Sequence, residues 1–129
     1  MGKFVIITNN KLVIDNFIDE STLYLEKDLL DIMKFVRNKV HSGHRLLSHP
    51  LAGSIKPNET PYKSILISQN KEKNFDYGSL KIIEDSIQMT ESLIRNKKMR
   101  KWPDRILEDF SLIDNDLITS AIESAQVGG

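Results

Sequence analysis

The spacing of apolar residues changes along this chain, and each change predicts an element. Phe4–Thr8 is apolar at consecutive positions, the pattern of a strand covered on both faces of a parallel sheet. Asn9-Asn10 supply turn chemistry at its end. Residues 11–18 fit a short helix, and Thr22–Leu25 reads as a second strand. From Asp28 the period becomes helical: Leu29, Met33, Val36 and Val40 form one stripe, broadened by Leu30, Ile32 and Phe35. Asp28 suits the N-cap and Gly43 the C-terminal stop. Arg45–Ser48 predicts a third, short strand and Ser64–Ser68 a fourth, ended by polar Gln69–Asn74. Leu80, Ile83, Ile87, Thr90 and Ile94 space an amphipathic helix of about 20 residues. Pro103 opens another helix at a favoured first-turn position. It carries Ile106, Leu107 and Phe110, and a break near Asp114 leads to a last helix through Leu117, Ile118, Ala121 and Ile122.

Strands alternating with helices predict an α/β fold: a small, mostly parallel sheet of about four strands covered by helices, with a helical C-terminal third. No internal repeat or linker divides residues 1–129, so one domain is expected. A chain this long buries enough surface to fold without a disulfide or structural metal.

Charge and cysteine content narrow the function classes. Lys plus Arg number 18 and Asp plus Glu number 18, so no net field draws the chain to nucleic acid or an anionic membrane. The absence of cysteine removes thiol catalysis, thiolate zinc sites and iron–sulfur clusters. The N-terminal apolar run is too short for a signal or membrane segment, which predicts a cytoplasmic protein. The basic run of Arg95, Lys97, Lys98, Arg100, Lys101 and Arg105 precedes acidic Glu108, Asp109, Asp114 and Asp116, so local pairing is expected. Trp102 within it is thin support for base stacking.

Chemistry concentrates in His41–Lys63, which holds all three histidines and three of the four prolines. A long connection without regular structure is a place for function. In open parallel sheets, ligands bind beyond the carboxyl ends of the strands. That rule would gather Asn9, Asn10, His49 and its loop, and Ser68-Gln69. Several readings compete. Gly53 and Ser54 can present amides to an anion while Lys56 or Lys63 supplies charge, although Gly-Ser-Ile-Lys is not a P-loop. His41, His44 and His49 can be read as zinc ligands, but Gly43 separates the first two, so no metal is assigned. His49 or Glu59 can serve as acid or base. In the structural alternative the prolines simply pack the loop over the sheet, its polar groups satisfying turns.

The run from His49 to Ser64, HPLAGSIKPNETPYKS, resembles the central signature of the GrdX family, and Ile6–Asn10 and Leu80–Ile87 are similar too. That family comprises small proteins encoded beside the glycine, sarcosine and betaine reductase genes of amino-acid-fermenting anaerobes. The resemblance implies a cytoplasmic accessory of that system and carries no catalytic residues or cofactor. Without cysteine the chain is not a redox subunit.

The expectation is therefore a binding protein that recognises a small anionic metabolite or a segment of a reductase subunit. Asn9, Asn10, His49, Gly53, Ser54, Lys56, Asn58 and Lys63 would form its site. A small enzyme with His49 or Glu59 as acid–base and a lysine anion clamp is the rival. An assembly factor acting through its C-terminal helices is a third reading, and a spare apolar helix face would make a homodimer.

Overall fold

The computed structural model describes residues 3–18, 20–53, 56–97 and 101–128, without the side chains of 126–128. Seven elements follow in order: β1 (Phe4–Thr8), α1 (Lys11–Asn16), β2 (Thr22–Tyr24), α2 (Leu29–His41), β3 (Ser64–Ser68), α3 (Tyr77–Asn96) and α4 (Asp104–Gly128). The sheet order is β2-β1-β3. β2 lies parallel to β1, whereas β3 pairs antiparallel to it, with Ile6 opposite Leu66 and Thr8 opposite Ser64.

Alternation along β1 and β3 divides the core. On one face Ile7, Ile65 and Ile67 pack against Leu29, Ile32, Met33, Val36 and Val40 of α2 and Ile83 and Ile87 of α3. On the other, Phe4, Ile6 and Leu66 meet Val13 of α1 and Ile118 and Ile122 of α4. Both faces are covered, which is why β1 and β3 read as continuous apolar runs. Pairs Lys34–Glu91 (3.9 Å) and Arg37–Glu84 (3.6 Å) run in opposite numerical directions, so α2 and α3 are antiparallel.

Helix ends follow local chemistry. The Asp28 side chain accepts the Asp31 N–H, and Asp76 caps α3 by accepting from Ser79. Gly43 follows α2 at φ +115°, a left-handed conformation that glycine adopts without steric cost.

Three expectations are corrected. First, the sheet has three strands and is mixed, not four and mostly parallel. Arg45–Ser48 does run along the outer edge of β3, but only Leu46 forms a bridge, to Ile67. The ladder fails because Ser48 diverts it. Leu47 N–H and Ser48 N–H both donate to the Leu66 carbonyl, while Leu66 N–H donates to the Ser48 hydroxyl. Second, the described residues of the connection 49–63 hold no helix to cross the sheet, so β3 enters from the end that Arg45–Ser48 has just reached and runs back. Ser68-Gln69 therefore lies beside Lys3, at the far end of the sheet from Asn9 and Asn10. Third, α4 continues through Asp114 without a break.

Ile32 is fully buried in the α2 layer, while Ile18 is 79% exposed. Ile32→Ala is expected to lower unfolding free energy by about 2–5 kcal/mol in urea titrations, and Ile18→Ala by less than about 0.5 kcal/mol. A Cβ on Gly43 would run into the Glu72 carbonyl, so Gly43→Ala is expected to cost at least about 1 kcal/mol in the same assay.

Candidate functional site

At the end of β1, the face toward α4 changes from apolar to polar. Thr8 and Ser64 are paired in register and both are buried. Asp114, also buried, reaches them from α4. Its carboxylate accepts the Ser64 N–H (2.9 Å), the Ser64 hydroxyl (2.7 Å) and the Asn10 amide (3.1 Å). With the Ser64 hydrogen given to Asp114, the Thr8 hydroxyl donates to Ser64 (2.7 Å) and accepts the Asn10 N–H (2.9 Å). This relay runs in one direction, and each bond polarises the next. Asn10 is fully engaged: it also donates to the Ser111 carbonyl and accepts from Leu12 N–H and the Ser111 hydroxyl. It thereby caps α1 and ties it to α4.

Lys63 precedes this tie and is only 7% exposed. Among the described residues its ammonium has no hydrogen-bond or ion-pair partner; the nearby Asp114 charge acts on it without a direct contact. Burial pushes the Lys63 amine below its ordinary value, and Asp114 partly opposes that shift. The side chain borders a cleft lined also by Ser48, His49, Ser64, Asp114 and Leu117. The cleft holds about 20 Å³, room for roughly one water or one ligand group. His49 and Ala52 are exposed and form its mouth. His49 Nδ1 accepts the Leu51 N–H (3.1 Å), so a neutral His49 ring carries its hydrogen on Nε2.

The expected site residues separate into three neighbourhoods. His49 and Lys63 line the same cleft, and Gly53 (φ +92°) packs on Leu117 at its wall. Asn9 works as a clamp. Its amide donates to the Lys27 and Pro61 carbonyls (both 2.9 Å), and its oxygen accepts the Lys63 N–H (2.8 Å). It borders a second, open cleft of about 350 Å³, with Tyr24, Lys27, Leu29 and Tyr62. Lys56, Asn58 and Glu59 sit apart, against the α3–α4 connection. Asn58 donates to the Lys97 carbonyl (3.3 Å), the Trp102 indole donates to the Glu59 carbonyl (2.8 Å), and Lys56 is exposed. The Asn58 oxygen is buried without a partner. Ser54 lies outside the described residues, as do Lys98 and Arg100 of the basic run.

The histidines take different partners: His41 faces Glu84, His44 Nδ1 engages the Ser68 carbonyl, and His49 the Leu51 amide. Among the described residues no group of three His, Asp or Glu side chains is placed to hold a metal ion. Asp114, Ser64 and Ser48 were absent from the expected set. Asp114 had a signal: it falls four residues before Ile118 and eight before Ile122, an acidic residue on an otherwise apolar stripe.

The profile of the GrdX family, described as GrdX-like protein, matches residues 5–123. No curated protein and no solved structure matches the chain.

Removing the Asp114 carboxylate strands the Ser64 and Asn10 donors. Asp114→Ala is expected to cost about 3–5 kcal/mol in urea titrations, against less than about 0.5 kcal/mol for exposed Asp116→Ala. Lys63 carries a pH signature. Its folded-state value lies below 10.5, so between the two values the unfolded chain binds more protons and stability rises with pH. Lys63→Met is therefore expected to stabilise by roughly 1 kcal/mol at pH 7, about 3–5 °C in Tm, with the gain shrinking as pH approaches 10.5. A gain that grows with pH would contradict this assignment.

Proposed function

The chain belongs to the GrdX-like family, and from that premise we propose that it is a cytoplasmic accessory of the glycine, sarcosine and betaine reductase system that binds a small anionic metabolite at Lys63. The observation that carries this reading is a lysine only 7% exposed, its ammonium without a counterion in contact, beside a cleft open to solvent. A buried charge without a partner costs free energy, and an anion entering the cleft offsets that cost. The free volume admits one oxygen of a carboxylate or phosphate, with the rest of the ligand held at the mouth by His49 and Ala52. Gly53 packs beside Leu117 of the cleft wall, and a side chain there would crowd it.

Asn9 and Asn10 serve this site from behind. Their amides hold the ends of β1 and β3 together, and so hold Lys63 in place. Lys56 and Asn58 do not line this cleft: Lys56 is exposed, and Asn58 is buried with its amide on the Lys97 carbonyl. Among the described residues no helix is long and apolar enough to cross a membrane.

A second reading rests on His49, whose ring lines the same cleft and can both give and accept a proton. In that reading the chain is a small enzyme and His49 moves a proton. An assembly role would use the exposed Leu112 and Ile113 of α4.

A thermal-shift panel of phosphate, acetyl phosphate, acetate, glycine, sarcosine and betaine separates these readings. An anion at about 100 times its Kd is expected to add roughly 2.7 kcal/mol, a rise of several degrees, and Lys63→Met to abolish it. If no anion shifts the protein, or the shift survives in Lys63→Met, binding at Lys63 is wrong. Turnover of a panel member that is lost in His49→Ala would establish the enzyme reading.

A further inference from the structure

A largely buried lysine without a contact partner, at the end of a cleft, has a second capacity besides attracting anions. Deprotonated, its nitrogen carries a lone pair with nothing in the protein to occupy it. Lys63 meets the geometric conditions for this. It is buried, and it has no hydrogen-bond or ion-pair partner among the described residues. It also borders a space the size of one small group. Asp114 lies near enough to act electrostatically, but its oxygens are already engaged by Ser64 and Asn10, so it does not fix Lys63 as an ammonium by direct contact. Burial favours the neutral amine. Lysines such as Lys56 and Lys71 are exposed and lack this burial.

We propose that Lys63 is a nucleophilic amine that condenses reversibly with a small 2-oxo acid or aldehyde whose carbonyl enters the cleft past His49. This inference rests on the reading of the Lys63 cleft as the ligand site and names the ligand's reactive group. The Nζ lone pair attacks the carbonyl carbon, and the new N–C bond turns the carbonyl oxygen into an alkoxide. His49, with its hydrogen on Nε2, supplies a proton to that oxygen. Nζ then returns a proton to His49, and a proton from solvent at the cleft mouth carries the oxygen away as water. The C–O bond breaks as the nitrogen lone pair closes the C=N bond. One amine, one carbonyl and one proton from solvent give one protonated imine and one water, with no oxidant or reductant. The protonated imine keeps its positive charge beside Asp114, whose field stabilises it. The free volume suits the carbonyl carbon and oxygen, while a carboxylate stays at the solvent-facing mouth.

The test traps the imine by reduction. The folded protein is incubated with glyoxylate and cyanoborohydride at neutral pH, digested, and mapped by mass spectrometry. The expected result is an adduct on Lys63 that forms ahead of those on Lys56 and Lys71. This preference should vanish when labelling is repeated in denaturing urea. His49→Ala should slow the Lys63 adduct without changing those on exposed lysines. Adducts confined to exposed lysines would overturn the proposal. Thermal shifts with acetate and phosphate, which have no condensable carbonyl, keep the two ideas apart. A Lys63-dependent shift without a Lys63 adduct leaves anion binding and removes the imine. Neither signal removes both.

Discussion

The Asp114 carboxylate is the point on which the rest of this structure turns. It sits on a helix interior, buried, and its partners come from two other parts of the chain: Ser64 at the start of β3, and Asn10 at the start of α1. Through the Ser64 and Thr8 hydroxyls it also reaches the end of β1. One charged group therefore fixes α4, α1 and the register of two strands at a single level of the sheet. Such a group is costly in an apolar interior unless hydrogen bonds offset the lost water, and here three donors meet its two oxygens. The apolar packing of Ile118 and Ile122 below it would tolerate small slides of α4 over the sheet; the carboxylate does not.

That tie has a consequence one residue earlier in the chain. Ser64 is held by its own N–H and hydroxyl, and the Lys63 backbone is fixed from the other side by Asn9. The long side chain lines a cleft with His49, close to a negative charge that three other donors already engage. The site is thus a by-product of the fold's strongest polar contact. A neutral amine, a bound anion and an imine are three ways of relieving the same electrostatic imbalance.

Much of this was legible in the sequence, and the failures have physical causes. Helical and strand periods located β1, α2, β3 and α3 closely, because each is bounded by turn or capping residues such as Asn9, Asp28 and Asp76. The fold class followed, but the direction of β3 did not. Nothing local marks a strand as parallel or antiparallel; the absence of a helix between 49 and 63 was the available sign. Arg45–Ser48 read as a strand because Leu46 and Leu47 are apolar, and a serine hydroxyl then took the ladder's place. Asp114 read as a helix break because an acidic residue on an apolar stripe is usually a boundary. His49 and Lys63 were found through their loop, but their association with Asp114 required the tertiary path of α4, some fifty residues later.

The central claim is that Lys63 is a buried amine without a contact partner, ready for an anion. NMR titration of the lysine side-chain signals, with Lys63 assigned from its Lys63→Met spectrum, tests it most directly. The account predicts that Lys63 titrates below the exposed lysines in the free protein, and that phosphate or acetate moves it upward while leaving the others in place. A Lys63 signal that titrates with the exposed lysines and ignores both anions would contradict it.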